Sequence, residues 1–372
     1  MRNIFSTTTV FACLAILLLA TPRAQQSSLT LTPSPLPMPR FHHIHINAVN
    51  PQDSIAWYET FWPHGKKTTF AGLPAFVGDD VYLVYTKVGK QAPGAFDKRL
   101  QRSVPQSAFW TFGSTFTDTV GLVDRLTRLN SKRFELLPVY TGPDDDKGVI
   151  RSALGPYGDQ LLTLTELRQR AEREKNNPPA GPRPGNQDFG YLVDPDGMLV
   201  EFNWGTTENF WGHHHYWHEQ PLCAANWYVE HLGMQLPPVR DAGTGQLTPR
   251  ARWDPCDVPI GEASFPTFMR AGQLRIPIGN VRFANGSWAW YTRQCRFGRC
   301  GAGNDRPLSR SRGQVVDHIA LSYPDLNPVL AHLKATGVPI LEGPYRLGDT
   351  RAVLIEDLDG LTLELLEIST KS

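Results

Sequence analysis

Charge imbalance is the first thing this chain lacks: 37 Lys and Arg stand against 36 Asp and Glu, a formal net charge of +1. That excludes an electrostatic grip on nucleic acid or an anionic membrane, and a small neutral or anionic molecule is the expected partner. Long apolar runs are also missing. The run from Val10 to Ala20 falls short of the about 20 residues that a membrane-spanning helix needs. With Arg2 ahead of it and small and polar residues behind, it reads as a secretory signal peptide over residues 1–24, cleaved after Ala24. The mature protein is then exported, to the periplasm or beyond. Cysteine is sparse, 5 in 372 residues. Cys13 lies inside the apolar run and not after it, so lipidation is not expected. The four others, an even number, suit disulfides in an exported chain. Cys295 and Cys300 bracket the short loop CRFGRC and are the expected pair. Cys223 is read either as a small buried apolar residue or as the partner of Cys256.

The rest of the composition is ordinary for globular protein: 41% hydrophobic and 20% charged, in a length sufficient for two cores. The 10 Trp, 11 Tyr and 18 Phe suit an aromatic ligand and a β-rich core equally, so they decide nothing. Residues 25–40, rich in Ser, Thr and Pro, read as a flexible tether. Order is expected from Phe41. There FHHIHINA alternates, with His43, His45 and Asn47 on one face of a strand and Ile44 and Ile46 on the other. A helix capped by Asp53 should follow, with Ile55, Tyr58 and Trp62 at helical spacing.

That unit recurs. GHHHYWHEQPLCAANWYVEHLG repeats it, with His213 as far ahead of Tyr228 as His43 is ahead of Tyr58. VVDHIALSYPDLNPVLAHLKATGV repeats it again, His318 standing before Asp325 as His43 stands before Asn50. A weaker copy, SAFWTFGSTFTDTVGLVDRLTRLN, has Thr111 in that place. Two hairpins, LVDPDGMLVEFNW and IEDLDGLTLELLE, share one form, with Gly197 and Gly360 in the turn and Glu201 and Glu364 on the strand that follows. The charged and then Pro/Gly-rich stretch 169–187 reads as an insertion. The domain boundary is set in Gly205 to Phe210, giving domains of 41–206 and 207–369.

Four strand-helix-strand units, with His on the opening strand and Glu after a DxDG turn, resemble the vicinal oxygen chelate superfamily. It includes glyoxalase I, bleomycin resistance proteins and type I extradiol dioxygenases. The resemblance covers nearly all the chain from Phe41 to Glu367. It implies an α+β fold of two domains, each of paired βαβββ modules forming an open, cup-shaped mixed sheet with flanking helices. It also implies one divalent metal, held by His213, His318 and Glu364 in the second domain, because two imidazoles and a carboxylate leave positions open for water, O₂ or a bidentate substrate. Strand alternation puts His213 and His215 on one face and His214 on the other. Register with His43 favours His213 as the ligand, although a slip of the strand would exchange it with His215. The first domain reads as a degenerate copy: His43 and Glu201 match, but Thr111 and Leu162 stand where a second His and a Glu would be, and His45 is a spare nitrogen.

The third unit's last strands, NVRFANGSWAWYTR, contain no acidic residue to make the fourth ligand of a glyoxalase-type site. A three-donor site resembles the extradiol dioxygenases, so the first expectation is Fe(II)-dependent cleavage of a small aromatic or vicinal diol, with His215 or His218 as acid/base. The alternatives are a non-redox lyase, isomerase or hydrolase using Zn(II), Mn(II) or Ni(II), and a protein that only binds a small molecule. Neither the substrate nor the oligomeric state is written in these features.

Overall fold

The computed structural model describes residues 36–97, 102–130, 188–204, 208–240, 243–257, 278–291 and 307–368. The signal peptide, most of the tether, the 169–187 insertion, Leu162 with its hairpin, and Cys295 and Cys300 lie outside the described residues. Four units follow one another. The first is β1 (Arg40–Ala48), α1 (Pro51–Phe61), β2 (Lys66–Phe70), β3 (Leu73–Gly78) and β4 (Val81–Lys87). A small pair, β5 (Ala95–Asp97) and β6 (Arg102–Val104), leads to the second: β7 (Phe109–Phe116), α2 (Thr119–Asn130), β8 (Asp188–Val193) and β9 (Leu199–Trp204). The third is β10 (Phe210–Trp217), α3 (Pro221–Leu232), the short pair β11 (Val239–Arg240) and β12 (Leu247–Thr248), then β13 (Gly279–Phe283) and β14 (Gly286–Tyr291). The fourth is β15 (Val316–Tyr323), α4 (Asn327–Thr336), β16 (Ile340–Leu347), β17 (Thr350–Glu356) and β18 (Thr362–Glu367). Among the described residues no helix is long and apolar enough to cross a membrane.

These units build two open mixed sheets, in which the first unit pairs with the fourth and the second with the third. The larger sheet runs β16-β17-β18-β15-β1-β4-β3-β2, joining the fourth unit to the first. The smaller runs β13-β14-β10-β7-β9-β8, joining the third to the second. In each, the opening strands of two units pair antiparallel at the centre, β1 with β15 and β10 with β7. The expected boundary between 41–206 and 207–369 therefore separates no sheet from another, because β9 and β10, which flank it, belong to the same one.

Local rules explain the elements. Ile44 and Ile46 of β1 are fully buried in the apolar core, as their alternation requires. Helix α1 begins at Pro51, with Asn50 as its N-cap residue. Asp53 lies inside the first turn and does not cap it, because proline, lacking an N–H, fits the first helical position. The two DxDG turns are held in the same way. Asp194 Oδ1 accepts from the Asp196 and Met198 N–H groups, and Asp357 Oδ1 from those of Asp359 and Leu361. Gly197 and Gly360 take φ of 95° and 79°, which an L side chain resists. The helix tyrosines reach these turns: Tyr58 OH donates to Asp194 at 2.9 Å and Tyr228 OH to Asp357 at 2.8 Å. The first unit thus touches the second, and the third the fourth, through a Tyr–Asp bond, while the sheets join the first to the fourth and the second to the third. Cys223 of α3 is disulfide-bonded to Cys256, the second of the two readings of Cys223.

The face of each sheet away from the cups is aromatic. Trp211 of β10, fully buried, packs edge-on against Phe112 and Phe76 and beside Trp62 and Tyr58. Its Nε1 donates to the Val81 carbonyl at 3.2 Å, so one side chain of the smaller sheet is bonded into the larger. His214 enters the same core, its ring 4.2 Å from that of Phe41 and 5.2 Å from that of Phe112. Burial drives its pKa well below the ordinary value, so it is neutral.

Candidate metal centre

Each sheet curves into a cup, and the register places the same positions at both bottoms. In the larger sheet His45 stands opposite His318, His43 opposite Ala320, and Ala320 beside Glu364. In the smaller, His215 stands opposite Thr111, His213 opposite Gly113, and Gly113 beside Glu201. Call these the first and second cups.

The first cup gathers His43, His45, His318 and Glu364. His43 Nε2 lies 3.4 Å and His318 Nε2 3.7 Å from Glu364 Oε2. These three atoms are buried and none has a hydrogen-bond partner, a costly arrangement unless a cation completes it. One nitrogen from each of His43, His45 and His318 lies within 4.8 Å of the others. Behind them the orientation is fixed. His318 Nδ1 is 2.7 Å from Asp317 Oδ1, which keeps the proton on that nitrogen and turns Nε2 inward. His43 Nδ1 is 2.9 Å from His42 Nδ1, and His45 Nε2 is 2.7 Å from Thr86 Oγ1. Tyr345 OH donates to Glu364 Oε1.

Electrostatics follow from these contacts. Burial takes His43 well below its ordinary pKa, helped by His42, His318 and His45, and takes His42 and His45 to about 4. Burial also acts to lower His318, but its bond to Asp317 and the nearby Glu364 carboxylate outweigh it and hold the group up at about 9. Burial acts to raise Glu364, and His318 outweighs it, leaving the carboxyl below its usual range. Without a metal, His318 and Glu364 are therefore an ion pair, and metal capture at Nε2 must displace the His318 proton. Below pH 9 the first equivalent of Zn(II) should release one proton, with apparent affinity rising about tenfold per pH unit towards that value. Calorimetry in buffers of different ionisation enthalpy checks this. Metal uptake without proton release at pH 7 would show that His318 is not a ligand.

The expected set His213, His318 and Glu364 is thus divided. His318 and Glu364 come together, with His43 and His45 as their imidazole companions, because the first unit and not the third pairs with the fourth. His213 and His215 face Glu201 in the second cup. His218 lies beyond the end of β10, its Nδ1 accepting from Gln220 N at 2.7 Å and its Nε2 3.4 Å from Asp359. Burial lowers it to about 4, and it belongs to neither ligand set. Asp317, Tyr345 and His42 were not foreseen. The Asp immediately before His318 was the one legible sign.

The chain is an α+β protein of duplicated units whose two open mixed sheets each bring together His and Glu side chains able to hold a metal ion. Residues 213–365 match the sequence model of the Glyoxalase/Bleomycin resistance protein/Dioxygenase superfamily. Glyoxalase I from Zea mays shares the fold over 88% of this chain and 92% of its own, at 12% identity and a TM-score of 0.50. TioX from Micromonospora sp. ML1 aligns with 41% of this chain and 94% of its own, at 15% identity and a TM-score of 0.26. No curated protein matches the sequence. At 12% identity the likeness to glyoxalase I is one of fold.

Proposed function

We propose that the protein is a metal-dependent enzyme acting on a small molecule in the first cup, and that it cleaves a small aromatic or vicinal diol with O₂. The observation that carries this reading is the convergence of His43 Nε2, His318 Nε2 and Glu364 Oε2, all buried and all without a partner. A divalent ion there, Fe(II) for this reaction, supplies Lewis acidity and open positions for a chelating substrate and O₂. The chain's own residues hold and orient: Asp317 fixes the His318 tautomer, His42 bonds the back of His43, and Tyr345 steadies Glu364. His45, neutral and half-buried beside His318, takes the acid/base role expected of His215 or His218.

A second reading rests on that same His45. If it coordinates, the cup offers four protein donors and suits a glyoxalase-type lyase or isomerase using Zn(II), Mn(II) or Ni(II). The Cys223–Cys256 disulfide favours export into an oxidising compartment, where Fe(II) is hard to keep reduced, and this supports the second reading too.

Oxygen uptake separates the two. Fe(II)-loaded protein given catechol-like diols should consume O₂, and Zn(II)-loaded protein should not; His45→Gln should lower turnover while leaving the metal bound. Turnover of 2-oxoaldehyde adducts by the Zn(II) or Ni(II) protein without O₂ uptake, together with metal loss in His45→Gln, would establish the lyase or isomerase. Binding without turnover under every metal would leave a small-molecule carrier.

A further inference from the structure

The second cup carries donors that this reading does not use. Glu201, 4% exposed, places Oε2 3.0 Å from His215 Nδ1 and Oε1 3.6 Å from His213 Nε2. Glu201 Oε2 and His215 Nδ1 are buried, yet neither has a hydrogen-bond partner. Donors bound at about 2.1 Å to one ion stand roughly 3.0–3.4 Å apart, close to the spacing seen here. The Asn203 amide nitrogen lies 3.3 Å from Glu201 Oε1 and 3.4 Å from His213 Nε2, so a single N–H donor group meets both acceptors where a cation would.

The second cup is not a copy of the first. Thr111 stands at the position of His318, and its hydroxyl donates to the Leu199 carbonyl at 3.0 Å, so it offers the cup nothing. Across from His213, where the first cup has Ala320 facing His43, stands Gly113. A Cβ at 113 would lie 2.0 Å from His213 Nε2. The backbone there does not need glycine, since its φ is not in the left-handed region; the imidazole does. Trp110, stacked on Trp217 at 4.1 Å, and Tyr291 wall the His215 ring at 5.5 and 5.1 Å. Compared with the first cup, the second has Thr111 in place of an imidazole and more room beside His213.

We propose that Glu201, His213 and His215 form a second divalent-metal site, of a two-imidazole, one-carboxylate type, with Gly113 as the position that admits it. Its occupant is a first-row divalent ion that accepts imidazole and carboxylate, such as Zn(II) or Ni(II). It binds more weakly than the first cup, where the Asp317 bond orients His318. The site is independent of what the first cup catalyses.

The test is metal stoichiometry on the full chain, stripped with a chelator and titrated with Zn(II) against a chromophoric competitor. Two equivalents should bind, the second at least about tenfold more weakly. The double variant His318→Ala/Glu364→Ala should keep one equivalent, and adding His215→Ala to it should remove that one. Gly113→Ala should weaken only the second equivalent, by about 10–100-fold. Should Gly113→Ala fail to fold, His213→Ala, which only removes a ring, reads the same loss. A single equivalent in the unmodified protein, or two surviving in His213→Ala/His215→Ala, would overturn the proposal. Loss of the first equivalent's activity assignment would leave these counts unchanged.

Discussion

Replacing His43 by alanine should weaken the tighter metal by more than the roughly 10–100-fold that losing even an outer partner costs, whereas His213→Ala should leave it in place. The first cup explains the contrast: His43 Nε2 faces Glu364 at 3.4 Å, while His213 faces Glu201 in the other sheet. His318→Ala and Glu364→Ala should resemble His43→Ala. Tyr345→Phe, which removes only the bond to Glu364 Oε1, should have a smaller effect in the same direction. Equilibrium dialysis against Zn(II) measures all of these. Full retention of the tight metal in His43→Ala, with its loss in His213→Ala, would mean that the donors are drawn from the third and fourth units after all.

The largest effect on stability is expected at Trp211. Truncation to alanine removes a fully buried indole from among Tyr58, Trp62, Phe76 and Phe112 and leaves the Val81 carbonyl without its donor. Loss of a buried aromatic of this kind costs about 3–5 kcal/mol, to which an unsatisfied carbonyl adds. Urea unfolding followed by tryptophan fluorescence and by circular dichroism should show a lower midpoint in both signals. A change under about 1 kcal/mol would mean that the two sheets do not depend on this contact.

Much of this architecture was legible because it is local. Strand alternation placed His43 and His45 on one face and sent His214 to the other, and the DxDG spacing located Glu201 and Glu364 together with the glycines of their turns. His318 and Glu364, expected in one set, do come together, since both belong to the fourth unit and β15 lies beside β18. Which imidazole stands beside them depends on which opening strand pairs with β15, and there it is His43 and His45 and not His213. All four opening strands carry the same alternation and offer the same edge, so nothing in periodicity distinguishes β10 from β1 as the partner. The choice is made by contacts distant in sequence, among them Asn285, which accepts from the Phe41 N–H and donates to its carbonyl. Asp317, Tyr345 and His42 were hidden for a related reason: an outer partner is recognised only once the donor it supports has been located.

Pairing the first unit with the fourth also sets an order in time. While the chain is being made, β10 can find β7 as soon as the third unit is complete, but β1 lacks its antiparallel partner β15 until the fourth unit has emerged. The smaller sheet can therefore close around a nascent chain whose first strand still presents a bare edge, and the long loop that must finally close is entropically the most expensive contact in the molecule. A newly made copy is most exposed to misassociation through β1 during that interval, and the first cup, needing the first and the fourth unit together, forms only after the smaller sheet can close.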